Sequence, residues 1–412
     1  MTKKPASKTS TGAALLDALN KAVAKRFPLA VKLRRQLHQC PELAFQEHET
    51  AKIIAAELKA LGYAVKTGVG RTGVVGTLQN GKGRVIAVRS DMDALPVTEA
   101  TGLPFASRTP GVMHACGHDS HMASVANTAA VLAELRNHWQ GTVKVLFQPS
   151  EEEPPGGAVE MIREGVLRNP DVDMIFGLHV DPWIPTGRVG LKDGPMMAQV
   201  DDFDLEIAGK SGHGARPHLG NDAIYIASQV IEALQSIASR RIDPLQPVVV
   251  TLGTINGGTA RNILAGSVLM RGTLRTLDAS TAADAKSLIQ KIAKGTARAH
   301  GGDASVTFHA GYPAVNNSAA ANNIYRDVIR AAYGSRAIVE LTEPLMGGED
   351  FAYFLQEVPG AMMRVGVRNP KMKSTYAWHH PRFTIDEQAM EVAIRVMAGA
   401  VIHALNDEVG HH

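Results

Sequence analysis

Apolar residues between positions 29 and 61 recur at spacings of three and four, with a break at Pro41 and a stop at Gly62. That period lines one face of a helix, and proline and glycine are helix terminators, so the pattern predicts two helices joined by a turn. Downstream the period changes. Short β-branched runs at 74–78, 85–88, 143–147 and 174–178 predict strands, and a helical pattern at 122–135 separates two of them. Strands alternating with helices predict an α/β domain whose sheet has substantial parallel character.

After Gly194-Pro195 a second series begins: a strand at 200–207, a helix at 222–239, strands at 247–255 and 267–274, a helix at 282–300 and a strand at 305–309. Two β-α-β halves in that order predict a small α+β sandwich. A helix from Ala319, a strand at 361–367 and a helix at 386–404 then return to the first pattern. The expected domains are therefore residues 1–194 and 313–412, forming one discontinuous unit, and an insertion at 195–312. Residues 1–12, rich in Lys, Ser and Thr, are expected to be a disordered tail.

Composition narrows the function. A chain of 412 residues, 45% apolar, can fill two cores. Its 43 basic and 40 acidic residues are spread along the chain, which makes small substrates a better expectation than nucleic acid. No uninterrupted apolar run approaches the roughly 20 residues that cross a bilayer, and the N-terminal stretch has no signal-peptide core, so no membrane partner is expected. Two cysteines, Cys40 and Cys116, are too few for a disulfide framework. A reducing, cytoplasmic setting is the expectation, with Cys116 available as a thiolate.

The chemistry-bearing residues fall where an α/β sheet binds ligands. Asp91 and Asp93 follow one predicted strand, Glu151 and Glu152 another, and His179 a third, so three strands aim polar groups at the crevice beyond their carboxyl ends. The densest cluster is His114-Ala-Cys116-Gly-His118-Asp119-Ser-His121, whose small residues permit a tight turn between potential ligands. Thiolate and imidazole suit zinc and its neighbours. Further ligands would come from Glu151, Glu152, His179 and the His379-His380 pair. A lone histidine is more often a surface or core residue, and an acidic loop is often only solvated; the convergence of several segments argues for a site. Of two adjacent glutamates, one can bind metal while its neighbour acts as general base.

The insertion carries a second constellation. His213 lies in a glycine-flanked loop where an imidazole can stabilise an oxyanion, and Asn262 and Arg275 offer donors for a substrate carboxylate. Gly348, in Met346-Gly-Gly-Glu349-Asp350, permits close approach of backbone to a ligand; the plain alternative is a helix start.

These motifs resemble the aminoacylase and carboxypeptidase-like family of two-metal peptidases, and more closely its amidohydrolase branch, which includes hippurate hydrolases. The markers are Arg34-Arg-Gln-Leu-His38-Gln-Cys-Pro41-Glu42-Leu, Asp91-Met-Asp93-Ala-Leu-Pro, Met113-His-Ala-Cys116-Gly-His118-Asp, Gln148-Pro-Ser-Glu151-Glu152 and His379-His-Pro381-Arg-Phe. The resemblance, from about Leu33 onward, implies a metallopeptidase-like α/β catalytic domain with helices on both faces of a mixed sheet and an inserted ferredoxin-like lid and dimerisation domain. It implies two divalent ions per subunit (Mn, Zn, Co or Ni), with Cys116 bridging, His118 and His179 on one ion, and Glu152 and His379 on the other. It selects His379 by the pattern His-x-Pro, with His380 as the alternative. Glu151 would be the base, Asp91 and Asp93 would orient a ligand imidazole, and His213 would act across a homodimer. The implied reaction is hydrolysis of N-acyl amino acids; the rivals are a dipeptidase or carboxypeptidase of the same fold and a noncatalytic binding protein.

Overall fold

The computed structural model describes residues 8–407, and the chain divides into two compact units. The first comprises residues 1–194, 316–343 and 353–412; the second comprises 195–315 and 344–352. The segment 344–352, carrying Gly348, thus belongs with the second unit.

The first unit is built on an eight-stranded sheet. In spatial order its strands are Ala64–Val69, Gly73–Asn80, Gly141–Gln148, Val85–Asp91, Met174–Pro185, Gly360–Arg368, Val189–Leu191 and Ile338–Glu340. The four central strands, from Gly141–Gln148 to Gly360–Arg368, run parallel, while the Gly73–Asn80 side of the sheet is antiparallel. The sheet is therefore mixed, as the resemblance implies, and has the substantial parallel character that the alternation of periods predicts, located at its centre. Val85–Asp91 and Gly141–Gln148 are buried at every position, which is why 85–88 reads as a continuous apolar run and 143–147 is broken only by Lys144, whose ammonium is held by three backbone carbonyls.

One face of these strands, including Val88, Val145, Phe176 and Met363, packs into a large core with helices His48–Ala60, His118–Glu134, Ala319–Tyr333 and Gln388–Asn406. Each such side chain, fully buried, contributes about 1.5–3 kcal/mol. The alternate set, Ala87, Leu146, Ile175 and Met362, is buried as well. Gln388–Asn406 is long and apolar enough to cross a membrane by length and composition, but 78% of that stretch is buried inside the protein, as a core helix should be.

The N-terminal helix runs Lys8–Gln39 and passes through Pro28 without ending. Lys8 to Gly12 are helical, not tail; the apolar spacing from Ala13 onward propagates the helix backward at little cost once nucleated. The rest of the expected tail lies outside the described residues.

The second unit has a four-stranded antiparallel sheet in the order Val248–Gly257, Ser267–Thr276, Gln199–Ala208, Asp303–Ala310. Taken with helices Ala223–Leu234 and Ala279–Ala299, this is a βαββαβ fold. Both helices start at aspartates that accept backbone N–H groups, Asp222 from Ile224 and Asp278 from Thr281. Phe203, Leu205 and Met270 from the sheet and Ile226, Val230 and Ile289 from the helices form its core.

Candidate metal centre

The first unit gathers the predicted ligands from four segments. Cys116 sits just before helix His118–Glu134, and Gly117 between Cys116 and His118 has φ 93°. A Cβ there would lie 2.6 Å from Val180 Cγ2, so glycine is required both for the turn and for the approach of the strand carrying His179. His179 lies on Met174–Pro185, and Glu151 and Glu152 follow Gly141–Gln148.

Two groups of side chains meet at Cys116. One is Cys116, His118 and His179; the other is Cys116, Glu152 and His379; within each, the ligating atoms all lie within 4.8 Å of one another. Cys116 Sγ is 3.5 Å from His179 Nε2, and His379 Nε2 is 3.4 Å from Glu152 Oε1. Glu151 stands beside them, its Oε2 3.9 Å from His118 Nε2.

Hydrogen bonds decide which ring nitrogens face the centre. His118 donates Nδ1–H to the Asp93 backbone carbonyl at 2.8 Å, and His179 donates Nδ1–H to the Val180 carbonyl at 2.8 Å. Each is left with an Nε2 lone pair directed inward, the arrangement of a metal-ligating histidine. The Val180 carbonyl also accepts Trp378 Nε1–H at 3.0 Å, which ties the loop before His379 to the same strand. His379 itself has φ 63° and donates its backbone N–H to the Ala115 carbonyl at 2.8 Å. His380 instead stacks on Tyr376, and its Nδ1 accepts the Arg382 N–H.

The two aspartates divide their work. Asp93 Oδ2 accepts the Glu152 N–H at 2.9 Å, while its carbonyl orients His118. Asp91 is held by Arg89 at 2.9 Å and by His121 Nδ1 at 2.7 Å. His121, which the sequence cluster contained but did not single out, is committed on both nitrogens, since its Nε2 accepts the Val180 N–H at 3.0 Å. His114 is buried with neither ring nitrogen bonded, and burial pushes its pKa down to about 4.

The electrostatics call for a cation. Burial raises the Cys116 thiol well above its ordinary value, and Glu152, Glu151 and Asp91 push it further. At His118 burial acts to lower the pKa, but Asp91, Asp93 and Glu152 outweigh it and bring it to about 10. His118 Nε2, Glu152 Oε1 and Asp93 Oδ1 are buried without a hydrogen-bond partner. A thiol, imidazoles and carboxylates crowded together with unpartnered lone pairs suit divalent metal ions.

The remaining predicted residues lie in the second unit. His213 pairs with Ile263 in a two-stranded ladder, and the Asn262 carbonyl accepts the Gly214 N–H at 2.8 Å, so His213 and Asn262 are neighbours. Arg275 donates to the Met346 carbonyl at 2.6 Å, which ties it to the segment bearing Gly348. A Cβ at Gly348 would lie 2.9 Å from Val200 Cγ2.

Residues 87–403 match the profile of peptidase family M20/M25/M40. The chain is 44% identical over 376 residues to a "probable hydrolase" of Synechocystis sp., covering 90% of this chain and 95% of that one. It is 41% identical over 361 residues to an N-acetyl-L-cysteine deacetylase of Bacillus subtilis, covering 87% and 84%. A crystal structure of a dinuclear metal-binding peptidase from Bacillus subtilis superposes with a TM-score of 0.81 at 35% identity, covering 93% of this chain and 99% of that one.

Proposed function

Given that the chain belongs to peptidase family M20/M25/M40 and is a metal-dependent hydrolase of amide bonds, we propose that it hydrolyses N-acyl-L-amino acids to a carboxylic acid and a free amino acid. The observation that carries this reading is the pair of ligand triads sharing Cys116, with Glu151 alongside. In it, Cys116 would be shared between two divalent ions, which His118 and His179 on one side and Glu152 and His379 on the other would help to hold.

Bound there, the ions would supply Lewis acidity toward the scissile carbonyl and toward water. Glu151 takes the proton from the attacking water and returns it to the leaving nitrogen, which releases the amino acid. His118 and His179 keep their Nδ1 protons on backbone carbonyls throughout, so neither is a proton donor to substrate. The proposed roles of Asn262 and Arg275 in holding the substrate's carboxylate rest on the family resemblance; that of His213 in oxyanion stabilisation rests on its glycine-flanked loop, and that of Gly348 in substrate binding on the close backbone approach a glycine permits.

A homodimer through the second unit is part of the proposal. The strand Val248–Gly257 is at the edge of its sheet, and Val249, Ile255, Ile224 and Tyr225 are exposed there and on the neighbouring helix. Sedimentation at micromolar concentration tests it, a monomer being the contrary result. The reducing cytoplasm is the proposed setting, because both cysteines are free thiols and Cys116 must stay reduced to ligate.

The decisive experiment is hydrolysis of acetyl-, benzoyl- and other N-acyl amino acids by chelated protein reloaded with Mn, Zn, Co or Ni. Turnover that survives chelation would sink the proposal. A free dipeptide in the same screen separates this activity from that of a dipeptidase, the reading favoured by the peptidase neighbour.

A further inference from the structure

Glu47 is fully buried yet plays no part in the chemistry described so far. It immediately precedes helix His48–Ala60 and reaches two other segments with its two oxygens. Oε1 accepts the Ser150 backbone N–H at 2.8 Å, and Oε2 accepts the Thr72 hydroxyl at 2.5 Å. Thr72 lies in the turn joining Ala64–Val69 to Gly73–Asn80, and Ser150 is the residue before Glu151.

Ser150 has φ 49°, a left-handed conformation that an L-residue holds only when its surroundings enforce it. Its carbonyl accepts the Gly157 N–H at 2.9 Å, and its N–H is held by Glu47. Two residues on, the Glu152 N–H is held by Asp93 Oδ2 at 2.9 Å. The backbone N–H groups on either side of Glu151 are therefore gripped by buried carboxylates from two different elements. With both neighbours pinned, the backbone from which Glu151 and Glu152 leave is fixed, and their Oε2 and Oε1 atoms lie 3.9 and 3.8 Å from His118 Nε2.

We propose that Glu47 is a positioning residue for Glu151, clamping Ser150 so that the backbone carrying the base and the adjacent ligand Glu152 is fixed against the metal centre. The inference rests on the assignment of Glu151 as the general base. It also predicts a pH signature. Burial pushes the Glu47 carboxyl up to about 7, and the charge of Asp93 adds to this, while Thr72, its own backbone N–H and that of Ser150 pull it down. Asp93, the charged side chain with the largest effect on it, lies on the loop that also holds the Glu152 N–H. Above that pH the carboxylate accepts both hydrogen bonds as a charged acceptor, the stronger kind; below it, the clamp on Ser150 weakens and turnover falls.

The test compares the metal-loaded wild type with Glu47→Gln and Thr72→Val, each assayed for metal content, kcat, KM and pH profile on an N-acyl amino acid. Glu47→Gln is expected to keep its metal and a KM within about threefold, to lose roughly 10–100-fold in kcat, and to lose the step near pH 7. Thr72→Val removes the bond that lowers the Glu47 pKa, so its acid limb should move to higher pH with the plateau kcat retained. A Glu47→Gln enzyme with wild-type kcat and pH profile would overturn the proposal, as would one whose only defect is lost metal. If Glu47→Gln does not fold, an unshifted limb in Thr72→Val overturns it. Glu151→Gln run alongside separates the two claims: full turnover there refutes the base assignment and not the clamp geometry.

Discussion

His121 Nε2 accepts the backbone N–H of Val180 at 3.0 Å, and so the imidazole that lies among the ligands has no lone pair to offer. Its Nδ1 proton goes to Asp91, which Arg89 holds from the other side. His121 thus ties the start of helix His118–Glu134 to the strand carrying His179, and acts on the metal centre through position alone. We expect His121→Asn to retain wild-type metal content and to lose about tenfold in kcat, whereas His118→Asn should lose metal. Metal analysis by mass spectrometry decides between them; loss of an equivalent from His121→Asn would make it a ligand.

The adjacent glutamates should separate cleanly. Glu151→Gln removes the base but none of the assigned ligands, so kcat should fall by roughly 10²–10⁴ with metal content intact. Glu152→Gln should lose metal first and activity as a consequence. Equal metal loss in both variants would contradict the division of roles.

Chelation should lower stability as well as activity. The carboxylates around Cys116 are held close together and three polar atoms there are unpartnered, an arrangement a cation relieves. Protein saturated at about 100 times the dissociation constant gains about 2.7 kcal/mol over the stripped form. A fall in melting temperature on chelation, reversed by adding metal back, is the expected result; an unchanged melting curve would argue against tight binding.

Away from the centre, His38 is buried between Asp119 at 2.9 Å and Glu99 at 3.3 Å. Burial acts to lower its pKa, but the Asp119 charge and the hydrogen bonds to Asp119 and Glu99 outweigh this and raise it above its ordinary value. A raised folded-state pKa contributes stability that is fully present below the unfolded value near 6.5 and is lost as pH rises through the folded value. His38→Asn should therefore cost most at pH 6, on the order of 3 kcal/mol for a broken buried pair, and less at pH 9. Urea unfolding at the two pH values measures the difference, and a cost independent of pH would refute it.

Much of the fold and the site is written locally. The change from a helical period to short β-branched runs locates the central strands, and continuous apolar runs such as 85–88 mark strands buried on both faces. Asp91, Asp93, Glu151, Glu152 and His179 lie at or just beyond the ends of apolar strand runs, and parallel topology brings such ends together. Among the elements missed, Ala64–Val69 is mostly exposed and carries no periodic signal, and Val189–Leu191, though buried throughout, is only three residues long. Glu47 left no mark either, because an isolated glutamate before a helix looks the same whether it is solvated or buried.

By itself, then, the sequence determined the central elements, their order and the residue types that meet toward the carboxyl ends of the central strands, because side-chain periodicity and strand ends are local properties. Only the tertiary structure decided what each polar atom does there. His118 and His121 are three positions apart on one helix, and nothing nearby in the chain says which has a free Nε2; the answer comes from Val180, 59 positions from His121. The pattern His-x-Pro already selects His379 over His380, but what holds it beside Glu152 is a backbone bond from His379 to Ala115. Glu47 acquires its role from Ser150, 103 positions away. A hydrogen bond commits a particular atom in a particular direction, and that commitment exists only once distant segments are packed together.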